Sequence, residues 1–101
     1  MFAVIYTFTI KPELTDQFIS SWAAMTELIK EHEGGLGSRL HKKSDIEYVA
    51  YAQWPSKEHW KNAGGNLPSS VESVRKAMRE SCIESKTLFE MDMVEDLLSK
   101  I

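Results

Sequence analysis

The sequence lacks the features that define several large classes of protein. Among 101 residues only Cys82 is a cysteine, which rules out an internal disulfide and a cysteine-based metal cluster. No apolar run is long enough to span a bilayer, and no charged and apolar signal segments open the chain. Lysine and arginine number 12 against 15 acidic residues, and the resulting net charge of −3 does not suit phosphate backbones. We therefore expect a cytoplasmic protein that binds neither membranes nor nucleic acid.

Motifs for metals and common cofactors are also missing. The three histidines show neither His-x-His nor His-x-x-x-His spacing, so we expect no metal site. The glycines at 34, 35 and 37 follow a predicted helix instead of opening one, unlike a dinucleotide-binding fingerprint. No phosphate-binding loop, nucleophile motif or carboxylate pair is present. The sequence accordingly predicts no bound cofactor.

The apolar periodicity that is present predicts one domain over residues 1–101. Alternating apolar residues indicate strands, and apolar residues three or four apart indicate amphipathic helices. The predicted strands cover 2–10, 36–43, 46–54 and 87–94. The predicted helices cover 13–33, 57–63 and 68–82, and a helical turn is predicted in 95–101. The order β-α-β-β-α-α-β predicts an α+β, ferredoxin-like split βαβ fold. Its four-stranded antiparallel sheet would carry the helices on one face.

Two of the predicted strands are apolar on both faces. In the first strand the apolar even-numbered positions from Phe2 to Ile10 share one face, while Ala3 and Ile5 point to the other. In residues 46–54 the second face carries Val49 and Tyr51. Helices on one side leave this second face uncovered, and a second copy of the chain would cover it. We therefore expect a homodimer through the sheet face, with space for a small molecule between sheet and helices.

Four segments of the sequence resemble the corresponding segments of a known protein family. They are the opening strand with Lys11-Pro12-Glu13, the long helix that ends in Gly34-Gly35-Leu36-Gly37, the segment from Tyr48 to Trp54 followed by Pro55-Ser56-Lys57-Glu58, and Trp60 in the next helix. Together they resemble the antibiotic biosynthesis monooxygenase family of dimeric α+β barrels. The resemblance implies a homodimer with face-to-face sheets. It also implies oxygenation of a small aromatic or quinol without metal or flavin.

Two other functions stay open within this resemblance. One is a non-catalytic dimeric module that binds a small molecule or responds to stress, because the fold alone does not determine function. The other is haem binding and degradation, which some relatives perform. Those relatives carry a histidine on the helix after the tryptophan helix and an asparagine on the first strand. Residues 71–82 contain no histidine and residues 2–10 no asparagine, which disfavours haem.

Aromatic residues are the candidates for substrate binding. Trp54 ends the third strand and Trp60 follows it, so their rings could stack on a planar ligand. Tyr6 could line the same cavity or the core of the dimer. The other candidate substrate contacts are Tyr51 and Arg39. Each tryptophan also fits a purely structural role in the core, as Trp22 in the long helix does.

Two histidines and an asparagine are the candidates for catalysis. His41 shares a strand face with Arg39, and His59 precedes Trp60, and imidazole exchanges protons near neutral pH. The amide of Asn62, beside the flexible segment that ends at Asn66, could stabilise a developing oxyanion. Surface solvation of the histidines and ordinary turn chemistry for the asparagines are the alternative interpretations.

Overall fold

The computed structural model describes residues 1–99, which form a four-stranded sheet and three α-helices. A 3₁₀ turn, Pro12–Leu14, precedes the first helix. The elements in chain order are β1 (Phe2–Ile10), α1 (Thr15–Glu33), β2 (Gly37–Lys42), β3 (Glu47–Trp54), α2 (Lys57–Lys61), α3 (Val71–Ser81) and β4 (Cys82–Asp92). None of the helices in this part of the chain combines the length and apolarity that crossing a membrane requires.

The sheet has the strand order β2-β3-β1-β4, and every neighbouring pair is antiparallel. β1 lies between β3 and β4, so its residues pair on both sides. Ile5, for example, lies opposite Tyr51 of β3 and Phe89 of β4. This topology confirms the predicted α+β ferredoxin-like fold.

The core lies between the helices and the face of the sheet that carries the even-numbered residues of β1. Phe18 of α1 is completely buried, and its ring centroid is 5.1 Å from that of Phe8 and 5.5 Å from that of Tyr48. A second cluster contains Phe2, Val4, Ala52 and Trp54. Burial of this apolar stripe stabilises α1 against the sheet, as the spacing of its apolar residues predicts.

The boundary between α3 and β4 differs from the prediction. The sequence predicts a helix that includes Cys82 and a last strand that begins at residue 87. Instead, α3 ends at Ser81, and Cys82 opens β4 opposite Ile10. β4 is an edge strand that is exposed over nearly its whole length, so its first residues can be polar without losing buried area.

The predicted helical turn at the C-terminus is wrong for the residues described. Residues 93–99 have no regular secondary structure, and the last two residues of the predicted turn lie outside the described part of the chain.

Candidate functional site

An apolar cavity of about 210 Å³ lies between α1 and the helix-facing side of the sheet. Its aromatic and aliphatic lining includes Tyr6, Phe8, Trp22, Met25, Ile29 and Trp54. Polar lining comes from Thr26, Ser38 and Gln53. A cavity of this kind, apolar with a few polar groups, is typical of sites that bind small organic molecules.

The Gly34-Gly35 turn shapes one wall of the cavity. Gly34 ends α1 in the left-handed conformation, with φ of 76°. At Gly35 an added Cβ would lie 2.8 Å from Cγ2 of Ile29 and 3.5 Å from Cη2 of Trp54. The absence of a side chain at this position lets the chain pass close to two cavity residues.

Tyr6 is the only titratable residue among the described residues that line the cavity. Its hydroxyl oxygen accepts a hydrogen bond of 2.8 Å from the Trp60 indole N–H. Desolvation by burial raises the pKa of Tyr6, and the nearby Glu90 carboxylate raises it further, while the hydrogen bond from Trp60 acts in the opposite direction. The phenol therefore stays protonated near neutral pH and can act as a hydrogen-bond donor.

The other side-chain hydroxyls in the lining already donate within the protein. Thr26 donates to the backbone carbonyl of Trp22 at 2.9 Å, and Ser38 donates to that of Tyr51 at 2.9 Å. The Gln53 amide donates to the Tyr51 hydroxyl at 3.2 Å. Tyr6 is thus the cavity hydroxyl whose proton is not used by another residue in the range 1–99.

Trp60 supports the site from outside the cavity. It is half-buried on α2, and its ring centroid is 5.8 Å from that of Phe2. Its side chain is not part of the cavity lining, whereas Trp54 is buried and lines the cavity directly. The structure therefore places the two predicted stacking residues in different positions: Trp54 at the cavity and Trp60 behind Tyr6.

Arg39 and Tyr51 lie at a polar depression next to the cavity. This depression has a volume of about 280 Å³. Four residues line both spaces: Thr26, Gly37, Ser38 and Gln53. Arg39 lies opposite Tyr51 in the sheet, on the same face as Ile5 and not on the helix-facing side that carries Tyr6. Their role as substrate contacts stays a prediction.

The predicted catalytic residues are placed away from the cavity. His41 lies on exposed β2, where a shallow surface depression includes Trp22 and Tyr48. His59 and Asn62 line a separate pocket with Glu33. The structure thus brings His59 and Asn62 together, but neither shares a space with Tyr6 or Trp54. Their predicted role in proton transfer or oxyanion stabilisation stays a prediction.

Sequence reasoning did not identify several residues of these two pockets. Met25 and Ile29 follow Trp22 along α1 at spacings of three and four residues, and this position makes them part of the cavity wall. Glu33, at the end of α1, is buried although it is acidic. In the sequence, the Gly34-Gly35 pair that follows Glu33 is the one feature that indicates close packing of the backbone at this helix end.

The comparisons with known proteins agree with this architecture. The family model of antibiotic biosynthesis monooxygenases matches residues 1–67, which is more than half of the chain. The chain therefore belongs to the antibiotic biosynthesis monooxygenase family. No functionally curated protein matches the sequence significantly.

Solved structures with the same fold are distant in sequence. SnoaB from Streptomyces nogalater, described as a cofactor-independent oxygenase, is 18% identical, with 97% of each chain covered and a TM-score of 0.73. A provisionally assigned antibiotic biosynthesis monooxygenase from Caulobacter crescentus is 20% identical, with 93% of this chain and 90% of that chain covered and a TM-score of 0.74. These similarities show the shared fold.

Proposed function

We propose that this protein is a cofactor-independent monooxygenase that acts on a small aromatic phenol or quinol bound in the apolar cavity. The observation that carries the proposal is the Tyr6 phenol, a protonated donor in a cavity with otherwise mostly apolar walls. Membership of the family and the fold shared with a cofactor-independent oxygenase support it.

The reaction needs no electron donor other than the substrate. For a phenol with a hydrogen on the para carbon, one atom of dioxygen becomes the new carbonyl oxygen of the quinone. The other atom leaves as water together with two substrate hydrogens. The substrate thus supplies all four electrons that reduce dioxygen, and the cavity supplies desolvation and orientation.

Tyr6 would stabilise the negative charge that develops on the substrate oxygen. A donor placed in a site that excludes water acts more strongly than one in solvent. Because the Trp60 N–H donates to the Tyr6 oxygen, the phenol proton remains available for a substrate. Trp54 and Trp22 would hold the plane of the aromatic ring.

The decisive experiment measures dioxygen consumption with isotopically labelled dioxygen over a series of hydroquinones and polycyclic phenols. The protein is first treated with a chelator, so that adventitious metal does not contribute. We expect one labelled oxygen atom in the product for each molecule of dioxygen consumed. Dioxygen consumption without label in the product would show simple oxidation and contradict the proposal.

A non-catalytic binding module is the second candidate function. The observation in its favour is that His41, His59 and Arg39 do not line the cavity. Saturable binding of the same phenols without dioxygen consumption would favour this function over catalysis.

We also propose that the chain forms a homodimer through the outer face of the sheet. On that face Tyr51, Ile5 and Phe89 lie side by side across three strands. Phe89 is 58% exposed and Met91, in the neighbouring row, is 40% exposed. A second copy of the same apolar row would remove these side chains from water.

A further inference from the structure

A second pocket, separate from the apolar cavity, adjoins the Gly34-Gly35 turn. Gly35 lines the cavity, whereas an added Cβ at Gly34 would lie 3.7 Å from Cδ2 of His59, which lines the second pocket. The second pocket has a volume of about 320 Å³. Its polar lining consists of Glu33, Ser56, Glu58, His59, Asn62 and Asn66.

Glu33 is the most unusual residue of this pocket, because it is an acidic residue with only 9% of its surface exposed. Its Oε1 accepts a hydrogen bond of 2.9 Å from the backbone N–H of Asn66. Its Oε2 is buried and has no hydrogen-bond partner in the range 1–99. A buried acceptor without a donor is unfavourable, and a buried negative charge more so.

The position of Glu33 makes this arrangement less favourable still. Glu33 is the last residue of α1, where the helix dipole disfavours negative charge. Glu58 adds a second carboxylate to the lining, and no lysine or arginine of the described chain lines the pocket. The electrostatics of the pocket therefore favour a positively charged ligand.

The donors and acceptors indicate which kind of cation fits. A primary ammonium has three N–H donors and no acceptor. Glu33 Oε2, the buried oxygen without a partner, would be the acceptor for one of them. Asn62 and Asn66 line the same pocket, and their side-chain amides each carry one further acceptor oxygen. His59 is oriented by a contact of 2.9 Å between its Nδ1 and Ser56 Oγ.

A metal ion fits the pocket less well than an organic cation. Among residues 1–99, no three His, Cys, Asp or Glu side chains converge as metal ligands would. The pocket volume is instead at the lower end of the range typical for small organic ligands, about 300–1,000 Å³.

We propose that this pocket binds a small organic cation through a primary ammonium group, with Glu33 as the buried acceptor. The site is independent of the apolar cavity and of the activity proposed for it. The protein would then bind two classes of ligand: a hydrophilic cation in this pocket and an aromatic molecule in the apolar cavity.

Calorimetric titration with butylammonium as the probe tests the proposal. Butanol has the same alkyl chain without the charge, and tetramethylammonium has the charge without an N–H. We expect saturable binding of butylammonium and at least about tenfold weaker binding of both controls, because one hydrogen bond to a buried charge is lost. Equal binding of butylammonium and tetramethylammonium would reduce the site to a non-specific charge effect and overturn the proposal.

Variants locate the binding in this pocket. Glu33→Gln keeps an acceptor for the Asn66 N–H but removes the charge, and we expect at least about tenfold weaker butylammonium binding. Glu31→Gln, an exposed change near the same helix end, should leave the affinity within about twofold. Unchanged affinity in Glu33→Gln would overturn the proposal.

An NMR titration of the unmodified protein gives a test that does not depend on how a variant folds. The Asn66 amide, which donates to Glu33, should shift with butylammonium concentration. Shifts confined to cavity residues such as Trp54 would overturn the proposal. Tyr6→Phe should leave butylammonium binding unchanged, which separates this site from the proposed oxygenase site.

Discussion

Tyr6 combines three properties at one position in the cavity wall. It is placed by the central strand β1, its oxygen accepts a hydrogen bond from Trp60, and burial raises its pKa. A phenol held in this way is an oriented neutral donor, which is the form that stabilises a developing oxyanion.

Replacing Tyr6 with Phe should therefore reduce turnover more than stability. We expect kcat/KM for the phenol substrate to fall about 100-fold, the effect of losing one such donor. The free energy of unfolding should fall by only about 1 kcal/mol, because the Trp60 N–H loses its partner. Oxygen uptake and urea denaturation measure the two effects.

Tyr48→Phe is the matched control for this change. Tyr48 is buried against Phe18 and is not part of the cavity lining. Its loss of a hydroxyl should leave kcat/KM close to that of the unmodified protein. An equal loss of activity in both variants would argue against a specific role for Tyr6.

The Trp60 hydrogen bond gives a prediction about ionisation. This bond lowers the pKa of Tyr6 against the larger effect of burial. Trp60→Phe keeps an aromatic ring next to Phe2 but removes the N–H, so the pKa of Tyr6 should rise further.

NMR of ring-labelled tyrosine measures this shift, because it resolves each phenol separately. Tyr48 and Tyr51, the other two tyrosines of the sequence, give separate signals in the same spectrum. A lower pKa of Tyr6 in Trp60→Phe would contradict the hydrogen bond as described.

Individual site residues could be predicted where the alternation of side chains along a strand decides which face of the sheet they lie on. Alternation along β1 and β3 predicts that Tyr6 and Trp54 each share a strand face with apolar neighbours, and both line the cavity. The burial of Glu33 was not predictable, because it depends on the chain folding back at Asn66, 33 residues later. No local pattern encodes such a long-range contact.

Among the strands, the bounds could be predicted from the sequence for a buried strand but not for an exposed one. β1 has the predicted bounds, because it is the central strand and its apolar residues are buried or half-buried along its whole length. β4 begins five residues earlier than predicted, since Glu84 to Lys86 pair only with β1, Ile83 is skipped at a register shift, and all four residues are exposed. An edge strand of this kind has no apolar alternation to reveal it.

Helix α3 gives a prediction about haem. The eleven residues Val71–Ser81 contain no histidine to bind iron, and Cys82 lies on β4. We expect purified protein to carry no haem and to bind added haem weakly. A Soret band that titrates to one haem per chain and survives gel filtration would contradict this prediction.

At the scale of the whole molecule, apolar surface remains on the outer sheet face and beyond it. The face is apolar at one end, where Ala3, Ile5 and Tyr51 lie beside Phe89 and Met91, and polar at the other, where Thr7 pairs with Lys86. Past β4, Val94 is 94% exposed and Leu97 is 87% exposed. This distribution indicates that one end of the face, and not all of it, forms the centre of the proposed interface.

Phe89→Glu should therefore dissociate the proposed dimer. The change places a negative charge in the apolar row formed with Ile5 and Tyr51, where burial against the second copy would desolvate it. Lys86→Gln is the control, because it changes the net charge by the same amount on the same strand at the polar end. We expect light scattering at micromolar concentration to give a dimer for the unmodified protein and for Lys86→Gln, and a monomer for Phe89→Glu.

The fold of a single chain has its own core between sheet and helices, so circular dichroism of Phe89→Glu should be unchanged. A dimer that persists in Phe89→Glu would place the interface elsewhere, and a monomer for the unmodified protein would leave the apolar row without the partner proposed for it.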